Sequence, residues 1–84
     1  MNAEHLVVMA NQISQFFESQ PNRDTAVDGV LTHLKKFWDP RMRDSIIAHA
    51  KAGGEGMRQL TKDAVTRLDA DQIAKQKAKA AAAS

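Results

Sequence analysis

Three histidines, ten carboxylates and one glycine-rich tetrad are the groups from which this sequence could build chemistry. His5, His33 and His49 include no pair at the i, i+4 spacing that sets two imidazoles on one helix face for a metal. Catalysis needs a base, a nucleophile and an orienting group together, and no such trio is legible around any of them, so solvated or capping roles are expected. Asp24 and Asp28, one turn apart, and Asp39 and Asp44 lack the apolar surroundings that would desolvate one acid and raise its pKa for general acid work. Caps and surface charges are the expectation for these as well. Gly53-Gly54-Glu55-Gly56 precedes a helical stretch, where backbone N–H groups could cradle a phosphate. The lysine and Ser/Thr that complete a P-loop are missing, and so is a preceding strand, which leaves a tight helix–helix turn. The absence of cysteine removes thiolate nucleophiles, cysteine-ligated zinc or iron–sulfur sites and disulfides. No residue is therefore assigned a catalytic, cofactor-binding or metal-ligating role.

What remains is recognition. Lys35, Lys36, Arg41 and Arg43 flank Trp38, and bases interleaved with an aromatic ring near a helix–helix junction could imitate a helix-turn-helix reader of DNA. Against this, Asp39 and Asp44 fall in the same patch, and phosphate contacts need positive potential over a whole face. The 12 basic and 10 acidic residues leave a net charge of +2. That excess lies beyond residue 70, where Lys75, Lys77 and Lys79 outnumber Asp71, so the domain body is neutral. A second feature is a surplus of apolar residues: Val7 and Val8 lie off the main stripe of the first helix, and Ile47 lies about 100° from Ile46. Trp38, Arg41, Met42 and Arg43 are of types enriched at interface centres. Together Trp38, Arg41, Met42, Arg43, Val7, Val8 and Ile47 form the candidate partner surface, and composition favours a binding module over an enzyme.

Four helical segments must position these residues. Leu6, Met9, Ala10, Ile13, Phe16 and Phe17 fill an arc of roughly 120° on the first, with Asn2 as its cap, Glu4 in its first turn and Pro21 beyond its end. The second starts near Asn22 or Asp24 and carries Val27, Val30, Leu31, Leu34, Phe37 and Trp38. Gly29 inside it costs about 1 kcal/mol against alanine and suggests close approach of another helix. Asp39-Pro40 reads as an N-cap followed by proline at N1, ending helix two and starting helix three with almost no loop. Met42, Ile46, His49 and Ala50 form the inner stripe of helix three, Lys51 sits in its last turn, and Gly53-Gly54 supplies a left-handed stop. The fourth is expected from about Glu55 to Leu68 with Met57, Leu60, Ala64, Val65 and Leu68 on one side. Asp69 with Gln72 then reads as a fresh capping box, opening an Ala/Lys-rich stretch whose only large apolar side chain is Ile73.

The fold class expected is all-α: a small compact bundle of three to four short helices, residues 1–68, followed by a frayed Ala/Lys-rich tail, residues 69–84, as nascent helix or disorder. An apolar fraction of 43% is too high for a disordered chain. The longest apolar run, Leu6–Ala10, is far short of the ~18–20 residues that span a bilayer. Glu4 and His5 stand where a secretory signal would be basic, so a cytoplasmic location is expected. A domain this small buries only about 60% of its unfolded surface, which makes a partner a plausible source of added stability.

The run Phe37-Trp38-Asp39-Pro40-Arg41-Met42-Arg43, with Met9-Ala10-Asn11-Gln12-Ile13 and Phe16-Phe17 upstream and Ala48-His49 and Gly53-Gly54 downstream, resembles the delta subunit of the soluble NAD-dependent, molybdenum-containing formate dehydrogenases. The similarity spans roughly residues 4–68 and leaves out the tail. The resemblance implies a non-catalytic accessory subunit with no cofactor of its own. Formate would be oxidised to carbon dioxide at a bis-molybdopterin guanine dinucleotide centre in the alpha subunit, with iron–sulfur clusters and FMN on the path to NAD in the beta and gamma subunits. The delta chain would support assembly and stability of that complex, with the alpha subunit as its nearest partner; the short apolar runs and the neutral domain body count separately against a membrane or nucleic-acid partner.

On this reading Asp39 and Pro40 fix the angle between helices two and three, with Gly53 and Gly54 fixing the next turn. Phe37 would enter the core while Trp38 and Arg41 or Arg43 face outward, the guanidinium groups bridging to carboxylates or carbonyls of the large subunit. The place of Trp38 on the stripe of helix two leaves a core position open. The alternatives are a small helical DNA-binding or regulatory protein, and a transient cofactor-insertion chaperone for the same enzyme.

Overall fold

The computed structural model describes residues 2–83, with side chains described up to residue 75. Four helices follow one another: α1 (Ala3–Phe17), α2 (Arg23–Phe37), α3 (Pro40–Lys51) and α4 (Gln59–Ala83). No strand occurs among the described residues.

Each of the first three helices starts on a side-chain cap that the sequence announces. The Asn2 side-chain oxygen accepts from the Glu4 N–H at 2.8 Å, and that of Asn22 accepts from Asp24 and Thr25 at 2.8 and 3.3 Å. The Asp39 carboxylate accepts from the Met42 N–H at 3.0 Å while Pro40 occupies the first helical position, where no donor is needed. Helix α3 ends as expected at the double glycine. The Gly54 N–H bonds to the His49 carbonyl at 2.9 Å and the Gly53 N–H to that of Ala50 at 3.2 Å, the paired closure of a Schellman stop.

Helices α1 and α4 touch each other and both flanking helices, α2 and α3, with α2 set mainly against α4 and α1. Leu6, Val30, Leu34, Ile46, Leu60, Val65 and Leu68 are fully buried between them. Where α1 meets α4 the buried residues are small: Ala10, Ser14, Thr61 and Ala64 are all at 0% exposure, and the Ser14 and Thr61 hydroxyls share a hydrogen bond of 2.6 Å. Gly29 marks the close approach of α1 to α2, because a Cβ there would lie only 2.5 Å from Cε1 of Phe17.

Three sequence expectations are revised. The inward face of α1 is rotated toward Leu6, Val7, Ala10 and Ser14, which leaves Phe16 at 73% exposure instead of in the core. Small residues face α4 because they let the two axes approach, and the larger Met9 and Ile13 are only partly covered at the edge. Helix α4 begins at Gln59, not near Glu55, since Gly54 and Gly56 hold positive φ and the intervening chain is a turn closed from Met57 N–H to Gly54 O at 3.0 Å. Asp69 does not cap a new helix. It lies within α4, and its carboxylate pairs with Lys51 at 3.3 Å. One helix therefore runs across the 68/69 boundary, and Asp71 ties the following turn to Lys35 of α2 at 2.8 Å. The expectation that the tail stays unpacked concerns side chains that from residue 76 onward lie outside the described residues.

Candidate functional site

The histidines do not converge. His33 stacks on Phe37 with ring centroids 4.7 Å apart, and His49 hydrogen-bonds through Nε2 to the Glu55 carbonyl at 2.8 Å, which braces the α3–α4 turn. Among the described residues no three His, Asp or Glu side chains gather where they could hold a metal ion. The carboxylates of Glu18, Asp63 and Asp71 are held below their ordinary pKa by hydrogen bonds from Arg58, Arg23 and Lys35, in that order. A general acid needs the opposite shift, so these are partners in ion pairs and not proton donors.

The chemistry of this surface is concentrated at the joint between α2 and α3. The helical hydrogen-bond ladder of α2 continues to the Trp38 N–H, which donates to Leu34 O at 3.1 Å. Trp38 thus lies one turn beyond the fully buried Leu34 and points the same way, and its ring is 5% exposed. Phe37 falls one turn after His33 and is 69% exposed. This reverses the expected arrangement: the tryptophan closes the core and the phenylalanine faces outward. Extended backbone at Trp38 and Asp39, imposed ahead of Pro40, then turns the chain into α3.

The remaining candidates separate in the same way. Val7 and Ile47, each 6% exposed, belong with Trp38 to the core of the chain itself and present no surface to a partner. A small bundle of four helices needs two buried faces on α1 and α3, which is why the off-stripe residues are covered. Val8 is 53% exposed and Arg41 is on the surface, with Met42 partly covered against the core. Arg43 is half-buried on the α4 side. Its Nη1 donates to the Lys35 carbonyl at 3.2 Å, in the last turn of α2 where a cation meets the negative end of the helix, and its Nε is buried without a partner. Arg43 is therefore a clamp across the joint, and the two arginines do not act as a pair. Asp39, Pro40, Gly53 and Gly54 hold the structural positions expected of them.

The joint consequently has two unlike sides. Toward α4 lies an open cleft of about 670 Å³, bounded by Lys35, Arg43 and Asp71. Toward α1 lies an apolar groove of about 420 Å³, lined by Met9 and Ile13 of α1, His33 and Phe37 of α2, and Met42 of α3, with Trp38 and Gln12 completing it. The four bases around Trp38 do not share a face, since Lys35 and Arg43 are engaged on the α4 side. Sequence reasoning placed Phe16 and Phe37 on inward stripes and so missed them as surface residues. The adjacent Phe16 and Phe37 neighbours hold the only signal: residues 16 and 17, like 37 and 38, are about 100° apart on a helix, so only one aromatic ring of each pair can point at the core. Asn11 was also missed, although it stands in the middle of a run singled out above. Its side chain bonds Gly56 O at 2.8 Å, the Arg58 N–H at 3.0 Å and the Thr61 hydroxyl at 2.9 Å, fastening the start of α4 to α1.

A family model described as NADH-dependent formate dehydrogenase delta subunit FdsD matches residues 5–65. That span takes in most of α1, the two-sided joint, the double-glycine stop and the start of α4, where Thr61 bonds Asn11. No curated protein and no solved structure matches the chain. With most of its length matched, the chain belongs to the FdsD family of formate dehydrogenase delta subunits.

Proposed function

We propose that this chain is a non-catalytic accessory subunit of an NAD-dependent formate dehydrogenase, and that it supports assembly and stability of the molybdopterin-carrying alpha subunit. The observation that carries this reading is the family match over residues 5–65, which covers the bundle and the joint. The chain has no cysteine to ligate an iron–sulfur cluster. The molybdopterin cofactor, iron–sulfur clusters and FMN would then reside on the alpha, beta and gamma subunits. No described helix is long and apolar enough to cross a membrane, and a cytoplasmic site of action fits an NAD-linked enzyme.

The physical role follows from the surface. The side of the bundle facing α4 is laced with exposed ion pairs, while Phe37 at the joint and Phe16 on α1 present aromatic rings that a larger partner could cover. Purification of a tagged copy from its host tests the reading. The expected result is co-recovery of a large subunit with iron–sulfur and flavin partners, active on formate and NAD. Deleting the gene should lower the yield of assembled enzyme more than the turnover of what remains. Recovery of the chain alone, with fully assembled enzyme in the deletion strain, would overturn it. Recovery only with an immature alpha subunit would assign a transient chaperone in place of a permanent subunit.

A further inference from the structure

We propose that the cleft on the α4 side of the joint is an anion site, and that it takes a phosphate group, free or as the monoester of a small molecule. The inference goes beyond the accessory-subunit reading and does not depend on it. The first observation is charge. Three cations, Lys35 of α2, Arg43 of α3 and Lys75 of α4, line this cleft of about 670 Å³ against one carboxylate, that of Asp71. Asp71 is engaged by Lys35 at 2.8 Å. Lys75, one turn further along α4, is exposed and in no ion pair among the described residues, and no Asp or Glu follows Asp71 in the sequence. Gln72 adds amide N–H donors to the lining, while Pro40 and Leu68 add no charge. Asp39 and Asp44, the acids nearest Arg43 in the chain, do not line the cleft, and the Asp39 carboxylate is bonded to the Met42 N–H at 3.0 Å. The negative end of α2 and the positive end of α3 meet at the joint and offset each other, so the lining side chains set the sign.

The second observation is the state of the Arg43 guanidinium. Nη1 donates to the Lys35 carbonyl at 3.2 Å, which holds the group at the cleft wall. Nε is buried with no partner, and Nη2 makes no bond among the described residues. Nε–H and Nη2–H form one edge of the planar fork, the edge that an oxyanion takes with two parallel hydrogen bonds. Buried donors are nearly always paired, and this one is left over by the acceptors of the chain itself. Solvent does not reach Nε, so engaging it includes a small turn of the guanidinium. The lining then decides between anions. A carboxylate would answer one of the two excess positive charges, whereas a phosphate monoester carries about −1.5 to −2 at pH 7 and has three oxygens to share among guanidinium, ammonium and amide. The volume is that of a small-ligand site, roughly 300–1,000 Å³. A nucleic acid would need positive potential over a whole face, which the neutral domain body does not offer.

The test follows the Arg43 Nε–H resonance of the isotope-labelled full chain during titration with inorganic phosphate and, separately, with glycerol phosphate, at constant ionic strength set with sodium chloride. A saturable downfield shift is expected. Lys75→Ala, at an exposed position, should leave the fold intact and weaken binding about tenfold. Arg43→Lys keeps the charge but not the fork and, read on the Lys75 and Gln72 backbone amides, should lose most of the affinity. Asp71→Asn removes the competing carboxylate and releases Lys35, so it should tighten binding about threefold. Lys36→Ala, outside the cleft, should bind as the parent does. Tighter binding of glycerol phosphate than of inorganic phosphate would assign a phosphorylated small molecule, and equal binding free phosphate. Shifts that grow linearly without saturating would overturn the site, as would parent-like affinity in both Lys75→Ala and Arg43→Lys. Acetate bound as tightly as phosphate would overturn the choice of a dianion. Each of these failures leaves the accessory-subunit reading intact, because that reading is tested by co-purification.

Discussion

Replacing Asn11 by alanine should cost more stability than its half-exposed position on α1 suggests. Its side chain makes three hydrogen bonds to residues 45 to 50 positions away, holding the Gly56 carbonyl, the Arg58 N–H and the Thr61 hydroxyl. At about 1 kcal/mol net for each bond, the gross loss is about 3 kcal/mol. Two effects offset it. Alanine is the better helix former by roughly 0.5 kcal/mol, and Thr61 is not orphaned, because Ser14 still shares its hydroxyl at 2.6 Å. A net loss of about 2 kcal/mol remains. For a domain of this size that lowers the melting temperature by about 10–15 °C. Urea unfolding followed by circular dichroism should show the midpoint displaced with an unchanged slope, since the same surface is exposed on unfolding. Gln15→Ala, an exposed position on the same helix, should stay within about 0.5 kcal/mol of the parent. If Asn11→Ala is no worse than Gln15→Ala, the bonds seen around Asn11 do not fasten α4 to α1 and the reasoning fails.

Trp38→Ala should destabilise the isolated chain by about 3–5 kcal/mol, a large share of the total for so small a domain. As Trp38 is the one tryptophan, its emission should be blue-shifted when folded and move red on unfolding, and a water-exposed spectrum in the native chain would contradict its burial. Gly53→Ala should cost about 1–2 kcal/mol although no atom lies within 4 Å of the added methyl, because φ of +122° is disfavoured for any L side chain. An unaltered urea midpoint would show that the stop can re-form without that conformation. Acid should also weaken the fold. Glu18, Asp63 and Asp71 titrate below their ordinary values of 4.5, 3.8 and 3.8 in the native state, so their contribution is complete above those values and lost as pH falls through the native ones. Denaturation midpoints should therefore fall below about pH 4.5, less steeply in high salt. A flat profile down to pH 3 would mean the exposed pairs contribute nothing measurable.

Capping and stopping were legible along the chain because they are local. Asn2, Asn22 and Asp39 each bond an N–H two or three residues on, and Gly53-Gly54 close carbonyls within one turn, so residue type and position suffice. The hydrophobic period was also enough to place Leu6, Leu34, Ile46 and Leu60 inside. The false start of α4 came from the same kind of signal: Glu55 follows a glycine pair, but Gly56 takes positive φ and delays the helix until Gln59.

The order Trp-Asp-Pro-Arg and the capped helices around it were enough to indicate the all-α class and the family, since both are properties of consecutive residues. Which side chains the outside world meets was decided only by tertiary structure. An amphipathic stripe spans a third or more of a helix, and the sequence does not say which edge of it a neighbour covers. Helix α4 settled that by packing on the small residues Ala10 and Ser14, which drew Val7 inward and left Phe16 out. The same packing gave Trp38 to the core and Phe37 to the surface, engaged Arg43 with the end of α2, and set the ion pairs on one side of the bundle and the apolar groove on the other.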